Sequence, residues 1–347
     1  MPTFAVEPLA QVAAGVLTAA GAPKDIAQKI AGWLVNANLS GHPSHGVIRV
    51  PQYVSAIKDG SYRPAERPHV LRETDTAVLI DGRLGFGHLA AEAVTRATAA
   101  KAHQQGVAIG GITRCNHIGR LGEWSELAID LNVVFFMATG GPGSMVAAPF
   151  GGAQGRLSTN PITFGARAGD DAMMLDFATT ASAEGKIRVA RDKGVPIPPG
   201  QILDKHGKPS TNPQDLYDGG VMLPFGGHKG YGLSLMAELL GNNLTGAVEP
   251  QPSGRLGTFA LAIDPNAFGA GAAFVETTRA TFRRMRETKA ADGFREVLIP
   301  GDLERRSRQA MRASGVELPE ATWDAVLKTA ADLGLDAAAL GRRAAGG

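Results

Sequence analysis

Cysteine is almost absent from this chain of 347 residues, since Cys115 is the only one. A single thiol excludes an internal disulfide framework and a zinc site built from cysteines. Catalytic cysteines lie within recognisable local signatures, and none of these surrounds Cys115. We therefore expect Cys115 to be a small buried thiol without a catalytic role.

The chain also lacks an excess of one charge and a long apolar segment. Lys plus Arg number 35 and Asp plus Glu number 33, so no overall field favours nucleic acid or an anionic membrane. The first residues lack the basic stretch and apolar run of a secretory signal, and no apolar run approaches the ~20 residues of a membrane span. These absences predict a cytoplasmic protein that acts on small molecules, with no nucleic-acid or membrane partner.

A conventional dinucleotide-binding fingerprint is lacking too. The segment 85–90, Gly-Phe-Gly-His-Leu-Ala, has the relaxed Gly-x-Gly-x-x-Ala spacing, but Gln105 and Gly106 stand where an acidic residue would bind the ribose. We interpret these glycines as turn residues and keep a Rossmann domain only as a minor alternative. A metal site is not predicted either, because His42 and His45 have no acidic partner close by and no His-Glu-x-x-His pattern.

The chain does contain enough apolar material for a large core, with 44% hydrophobic and 20% charged residues. Its length predicts about two domains, and alternating helix and strand patterns indicate an α/β (α+β) fold. A segment rich in Pro and charge, 60–69, places a boundary near residue 70. We predict an N-terminal helical segment (1–70), an α/β domain (71–285) and a C-terminal helical segment (286–347) that packs with the N-terminal one.

Hydrophobic spacing predicts the individual elements. The helix at 229–240 follows a Gly-Gly-His turn, so its first N–H groups are placed to meet an anion. Between Arg279 and Arg312 basic residues outnumber acidic ones ten to five. Few aromatics accompany them, so we interpret this patch as a solvated helical face or a phosphate-steering rim rather than a nucleic-acid site. Further helices are predicted at 24–39, 88–105, 270–290 and around Trp323, and strands at 76–81, 107–113, 132–139, 161–168, 172–179 and 259–264.

The segment 41–53 carries the greatest concentration of chemically active groups. It follows the helix predicted at 24–39 and holds Ser44, His45 and Arg49 within a few residues. A hydroxyl can orient an imidazole, an imidazole can move a proton near neutral pH, and a guanidinium can clamp a carboxylate. The segment therefore predicts proton transfer on a small organic acid, with satisfied surface groups as the alternative explanation.

Several motifs occur in a fixed order along the chain. They are Gly-His-Pro-Ser-His-Gly at 41–46, Asn-His-Ile-Gly-Arg-Leu-Gly at 116–122, Ser-Thr-Asn-Pro at 158–161, Asp-Phe-Ala-Thr-Thr-Ala-Ser-Ala-Glu-Gly-Lys at 176–186, Gly-Val-Pro-Ile-Pro-Pro-Gly at 194–200, Leu-Asp at 203–204, Gly-Gly-His-Lys-Gly-Tyr-Gly at 226–232 and Pro-Gly-Asp at 300–302. Together they closely resemble the malate/L-lactate dehydrogenase-like oxidoreductases, which include L-sulfolactate, ureidoglycolate and hydroxycarboxylate dehydrogenases and diketogulonate and piperideine-carboxylate reductases. The resemblance runs from about residue 7 to 335, and the chain looks most similar to the hydroxycarboxylate dehydrogenases. It implies that 71–285 is a dinucleotide- and substrate-binding α/β domain and that 1–70 carries the catalytic loop.

The resemblance implies a nicotinamide-dependent reduction of 2-oxo acids to L-2-hydroxy acids, and the reverse oxidation. It implies a non-Rossmann dinucleotide-binding domain with a mostly antiparallel sheet, a helical domain built from both chain ends, and a homodimer. NAD(H) is the favoured cofactor and NADP(H) the alternative. A non-enzymatic binding protein on the same fold is a second class of function, which the joint presence of a proton carrier and a carboxylate-binding group disfavours.

The resemblance also implies roles for particular positions. His45 matches the family's proton donor/acceptor and Ser44 the serine that orients it. Arg49 matches the carboxylate-binding arginine, and Thr159 matches a threonine that touches the substrate. The positions that match cofactor contacts are His117, Ile118, Gly119, Arg120, Leu121, Asp176, Ala178, Lys229, Gly301 and Asp302.

Simpler explanations exist for some of these residues. Asp176 has the chemistry of a turn cap, Lys229 that of a solvated charge, and His117 that of a structural donor or a second proton carrier. His42 and His228 are interpreted as structural.

Lys186 bears on the choice of substrate. In the imine-reducing branch that the chain otherwise resembles, an aspartate stands at the matching position and completes a Ser-His-Asp relay. A lysine there lowers the pKa of a nearby histidine and favours an anionic oxygen developing from a ketone. We therefore predict a catalytic role for Lys186 and a preference for 2-oxo acids over cyclic imines, with a solvated lysine as the alternative.

Overall fold

The computed structural model of the protein describes residues 2–141, 145–247 and 256–344. A 3-10 turn, Pro43–His45, precedes the third helix, and a π-helical turn, Glu238–Asn243, continues the eighth. The helices are α1 (Val6–Ala19), α2 (Lys24–Leu39), α3 (Arg49–Lys58), α4 (Gly87–Gln105), α5 (Gly122–Asp130), α6 (Glu184–Asp192), α7 (Gln214–Tyr217), α8 (His228–Ala237), α9 (Gly271–Arg286), α10 (Asp302–Ser314), α11 (Glu320–Asp332) and α12 (Ala337–Ala344). The strands are β1 (Thr3–Phe4), β2 (His69–Glu73), β3 (Ala77–Asp81), β4 (Val107–Cys115), β5 (Val134–Gly140), β6 (Ile162–Ala168), β7 (Asp171–Phe177), β8 (Ile202–Leu203), β9 (Pro209–Ser210), β10 (Val221–Met222), β11 (Leu256–Ile263) and β12 (Val316–Glu317).

The central sheet has seven strands in the order β2-β3-β4-β11-β5-β6-β7. Neighbouring strands in this sheet are antiparallel, except for β3 and β4, which are parallel and are joined through α4. A crossover helix is what a parallel pair requires, because a tight hairpin cannot return the chain to the same end of the sheet. The predicted mixed α/β fold with a mostly antiparallel sheet is confirmed.

The strongest hydrophobic patterns predicted their elements closely. Helix α2 has the predicted bounds, and the helix predicted at 88–105 begins one residue earlier. The sequence analysis did not predict every element, and those it missed were not all short. Helices α1, α5, α6 and α10 have 9 to 14 residues each, whereas strands β8 to β10 have two residues each. Short elements carry too few residues for a periodic pattern to be detected.

The two chain ends pack together. Strand β1 pairs with β12, and one hydrophobic cluster combines residues of α1, α2 and α3 with Trp323 and Val326 of α11. Phe4 lies against the Trp323 ring with 4.4 Å between ring centroids. This packing agrees with the helical unit predicted from both ends, while the division into domains stays a prediction.

Two glycines of the suspected fingerprint serve close packing. A Cβ on Gly87 would lie 2.2 Å from the Asn116 carbonyl oxygen, and one on Gly85 would lie 2.6 Å from that of Glu66. Real Cβ atoms do not approach so closely, so only glycine lets the start of α4 pack against the segment after β4.

The predicted burial of Cys115 and the surroundings of the basic patch can be seen in the structure. Cys115 is fully buried, and burial raises its pKa to about 12. The basic patch is interlinked by ion pairs such as Arg306–Glu296 and Arg308–Glu126, which fits a solvated and structural role. Within the described ranges, no helix is long and apolar enough to cross a bilayer.

Candidate functional site

The Ser44–His45 turn is fixed by the end of α2. Gly41, with φ +79°, stops the helix, and the buried Asn38 side chain accepts the N–H of Val47 through Oδ1 at 2.9 Å. The turn thereby presents Ser44 Oγ to His45 Nδ1 at 3.2 Å. The hydroxyl–imidazole pair predicted from the sequence is therefore formed.

Arg49 lies at the first residue of α3 and faces back toward the same turn. Its Nε donates to the Ser44 carbonyl oxygen at 2.6 Å and its Nη1 to Gln52 Oε1 at 2.6 Å. In the described part of the chain, Nη2 has no hydrogen-bond partner. The guanidinium is thus held in place while one of its nitrogens stays available.

Two imidazoles face each other beside Arg49. The rings of His45 and His117 are nearly parallel, with 5.4 Å between centroids and 12° between planes. Burial, followed by the charge of Arg49, lowers the pKa of His45 to about 3, and the same two causes lower the pKa of His117 well below its usual value. Both rings are neutral near pH 7 in this state.

His117 is held by two tyrosines that the sequence did not single out. Tyr53 Oη lies 2.7 Å from His117 Nδ1, and the backbone N–H of His117 donates to Tyr62 Oη at 3.2 Å. Tyr53 is fully buried. Its position one helical turn after Arg49 was the available signal, because residues four apart share a helix face.

The loop that follows His117 buries most of its side chains. Ile118 and Leu121 belong to the hydrophobic core, so any ligand contact there uses the backbone. Gly119, with φ +76°, lies against the buried His88 ring, whose pKa burial lowers to about 3. Arg120 is 2% exposed. It pairs through Nη2 with Glu126 and, at 3.4 Å, with Glu123, while Nε and Nη1 find no partner in the described residues.

Asp176 caps helix α5. Its Oδ2 accepts the N–H of Gly122 at 2.7 Å. Burial raises the pKa of Asp176, against the opposing effects of that hydrogen bond and of Arg120. Beyond the cap, His42 Nε2 lies 3.4 Å from Glu304 Oε1 on α10. A group of buried and half-buried charges therefore surrounds the N-terminus of α5.

The remaining predicted residues differ in their surroundings. Thr159 and Ala178 lie half-buried near the end of β7, where the Thr159 carbonyl oxygen accepts the N–H of Thr179 at 2.9 Å. Lys229 is exposed in the first turn of α8. Gly301 precedes α10, and Asp302 is the first residue of that helix. The Asp302 carboxylate accepts from Arg286 Nη2 at 3.0 Å and from the N–H of Ile299 at 2.8 Å. It also forms an ion pair with Arg305. The Asp302 carboxylate is thus already committed to the fold.

Lys186 does not contact the Ser44–His45 pair. Its side chain is exposed on α6, and the residue of α6 that meets Ser44 is Gly185, where a Cβ would lie 3.0 Å from Ser44 Cβ. The neighbouring Glu184 accepts from Tyr217 Oη at 2.8 Å and from Arg188. Burial opposes ionisation of Glu184, but these bonds and the charge of Arg49 lower its pKa overall. The acidic group that faces the site from α6 is therefore Glu184, which the sequence analysis did not single out.

A cavity of about 440 Å³ lies between the loop 150–153 and the start of α8. Phe150, Leu203 and Leu223 line it together with Ala181, and the backbone of Gly226 and Gly227 closes one side. In the described residues, no group of three His, Cys, Asp or Glu is placed to hold a metal ion.

Comparisons with known proteins give one consistent result. Residues 4–327 match the family described as malate/L-lactate dehydrogenase. Hydroxycarboxylate dehydrogenase B of Escherichia coli O157:H7 is 34% identical over 327 residues, covering 91% of this chain and 90% of the relative. The structure of sulfolactate dehydrogenase from Methanocaldococcus jannaschii superposes with a TM-score of 0.88 at 32% identity, covering 97% of this chain and 99% of that one. The Δ1-piperideine-2-carboxylate reductase from Pseudomonas syringae pv. tomato gives 0.85 at 29% identity, covering 95% and 100%.

Proposed function

Because the chain belongs to the malate/L-lactate dehydrogenase family, we propose that it reduces 2-oxo acids to L-2-hydroxy acids, and catalyses the reverse, with a nicotinamide dinucleotide. The observation that carries the proposal is the joint placement of Ser44, His45 and Arg49 on one turn, opposite His117. A proton carrier beside a carboxylate-binding group is what the interconversion of a ketone and an alcohol next to an acid group needs.

His45 moves the proton. In the oxidation direction the neutral ring takes the hydroxyl proton at Nε2, which requires a hydrogen on Nδ1 that Ser44 Oγ accepts. In the reduction direction the imidazolium returns a proton to the carbonyl oxygen. A bound reduced nicotinamide would supply the hydride. The Ser44 hydroxyl orients the ring in both directions, because Nδ1 keeps its hydrogen in the neutral ring and in the imidazolium and Oγ accepts from it in each.

Arg49 recognises the acid group. Its available Nη2 can donate to a carboxylate oxygen, and a second bond forms if Gln52 releases Nη1. A bound carboxylate also offsets the positive charge of Arg49, which is the largest cause after burial of the low pKa of His45. Substrate binding therefore raises the proton affinity of His45, which is the change that reduction requires.

The residues around α5 and α8 fit a dinucleotide. Within the described residues, the buried Nε and Nη1 of Arg120 have no hydrogen-bond partner, which is costly unless a ligand or water accepts from them. The start of α8 at His228 places backbone N–H groups toward anionic oxygens, and the exposed Lys229 adds a positive charge nearby. The N–H of Gly122 at the start of α5 is taken by Asp176. We infer that these groups hold the cofactor on a non-Rossmann sheet, with NAD(H) favoured over NADP(H).

The homodimer is proposed from an apolar sheet face. Val107 and Ile109 of β4 are 43% and 39% exposed, and Leu239 and Leu244 beside α8 are 50% and 63% exposed. Exposed apolar groups mark protein–protein interfaces when they form one patch. Size-exclusion chromatography with light scattering distinguishes a dimer of 36.0 kDa chains from a monomer.

Reduction of cyclic imino acids is a second candidate, favoured by the likeness to the piperideine-carboxylate reductase. The positive charges that lower the pKa of His45 argue against it, because a cationic iminium would be repelled by them. The exposed position of Lys186 means that this selectivity rests more on Arg49 than on Lys186. The role of Lys186 stays a prediction.

The decisive experiment is a substrate panel. Pyruvate, phenylpyruvate, glyoxylate and piperideine-2-carboxylate are each mixed with NADH and with NADPH, and the loss of reduced-cofactor absorbance is followed. We expect a 2-oxo acid to react fastest. An imine that outperforms every oxo acid would select the second candidate, and no reaction with any compound would favour a binding protein.

A further inference from the structure

Tyr53 touches the site from inside the protein. It lies in the second turn of α3, fully buried, and the 2.7 Å contact between its Oη and His117 Nδ1 is shorter than most hydrogen bonds between a nitrogen and an oxygen. Burial raises the pKa of its phenol, so the hydroxyl keeps its proton. The contact therefore joins a protonated phenol to an imidazole nitrogen.

The direction of this hydrogen bond follows from the groups around it. The backbone N–H of Gly119 also points at His117 Nδ1, at 3.4 Å, and an N–H group can only donate. In the described residues, Tyr53 Oη has no acceptor other than this nitrogen. Nδ1 is therefore the acceptor, and the hydrogen of the neutral His117 ring lies on Nε2.

We propose that Tyr53 is a positioning residue that fixes His117 in its Nε2–H tautomer, so that His117 donates a hydrogen bond to the reacting oxygen of the bound acid. This inference rests on the proposed function. His117 stacks on His45, so a ligand oxygen that reaches His45 Nε2 lies within range of the opposite ring as well. In the described part of the chain, no protein group accepts from His117 Nε2.

The same contact separates the roles of the two histidines. If His117 gave its Nε2 proton to the substrate, it would have to take the Tyr53 proton at Nδ1 and leave a buried phenolate. Burial makes that phenolate unfavourable. His117 thus stays a hydrogen-bond donor throughout the cycle. The proton is transferred by His45, whose Nδ1–H donates to Ser44 Oγ in both protonation states, so that no partner has to give up a proton.

The tautomer can be measured without a substrate. Long-range 1H–15N spectra of protein labelled on histidine distinguish the two tautomers, and the His117 signals are those lost in His117→Gln. We expect the unliganded wild-type protein to show His117 protonated on Nε2 alone. A hydrogen on Nδ1 would overturn the inference without any mutation.

The variant Tyr53→Phe keeps the aromatic packing and removes only the hydroxyl. We expect a mixture of His117 tautomers and a kcat for the best 2-oxo acid about tenfold lower, with the KM for the cofactor little changed, since one oriented hydrogen bond is lost. Tyr62→Phe is the matched control, because it removes a hydroxyl from the same aromatic cluster that touches only the backbone of His117. It should leave the tautomer unchanged and reduce kcat less.

The outcomes separate this inference from the proposed function. Wild-type protein that is inactive on the whole panel contradicts the proposed function, while the tautomer measurement still tests Tyr53. Active protein whose Tyr53→Phe variant keeps the wild-type tautomer and kcat contradicts the inference alone. A purely structural Tyr53 would lower the melting temperature in that variant and leave both readouts unchanged.

Discussion

Replacement of Arg49 by Met tests how the acid group is recognised. The structure gives Arg49 one nitrogen, Nη2, that is available at once and a second, Nη1, that Gln52 must release. Each charge-assisted hydrogen bond contributes roughly 2 kcal/mol, so one bond corresponds to about 30-fold in kcat/KM and two bonds to about 700-fold. We expect a loss between these limits for 2-oxo acids, expressed mainly as a raised KM.

A second consequence of Arg49→Met concerns pH. After burial, the charge of Arg49 is the largest cause of the low pKa of His45. Its removal raises that pKa, so the ionisation of His45 in the pH profile of kcat/KM should move upward. Retention of the wild-type profile would mean that Arg49 does not act on His45 through its charge.

The assay compares each 2-oxo acid with its methyl ester, by following reduced-cofactor absorbance under subsaturating conditions. The ester has no carboxylate, so the variant should lose far less activity with the ester than with the acid. Gln52→Met is the control, since it frees Nη1 without removing the guanidinium and should not weaken acid binding. Equal losses of activity with the acid and with the ester would refute the reasoning. Arg49 would then have a structural role, through its hydrogen bond to the Ser44 carbonyl oxygen.

Three further predictions probe the proton carrier and the fold, with Gly32→Ala as the control for one of them. His45→Gln should lower turnover by about two to four orders of magnitude. Cofactor affinity, measured by fluorescence titration, should stay nearly unchanged. Normal turnover in this variant would mean that another residue transfers the proton. Gly87→Ala places a Cβ 2.2 Å from the Asn116 carbonyl oxygen and should destabilise by about 1–3 kcal/mol in urea unfolding. Gly32→Ala, with open space around it in a helix, should not destabilise. Burial opposes ionisation of Asp302, but its arginine and N–H partners lower its pKa overall, so the stability that it contributes is present above the unfolded-state pKa and is lost as pH falls through the folded-state pKa. Asp302→Asn should therefore lower the melting temperature by a few degrees at pH 7, and the difference from the wild type should shrink as the pH falls below the unfolded-state pKa of the carboxyl.

Local sequence patterns were enough for several of the long elements and for the chemistry of one turn. Helix α2 follows from apolar residues at helical spacing, and its end at Gly41 brings Ser44, His45 and Arg49 onto a short connection. Groups so close in sequence must be close in space, which is why the Ser44–His45 contact was predictable. The glycines at 85 and 87 show the limit of such patterns, because the same spacing serves close packing here.

Contacts between distant parts of the chain were decided only by the tertiary structure. Tyr53 and His117 are 64 residues apart, and nothing local in either segment indicates that α3 would deliver a phenol to that imidazole. Packing between separate elements also decides two further features. It pairs the Asp302 carboxylate with Arg286, and it brings Gly185 rather than Lys186 against Ser44. The sequence by itself determined which groups are present and the order of the main elements. Burial and long-range packing determined their protonation states and partners, because desolvation and hydrogen bonding act between residues that meet only in the folded chain.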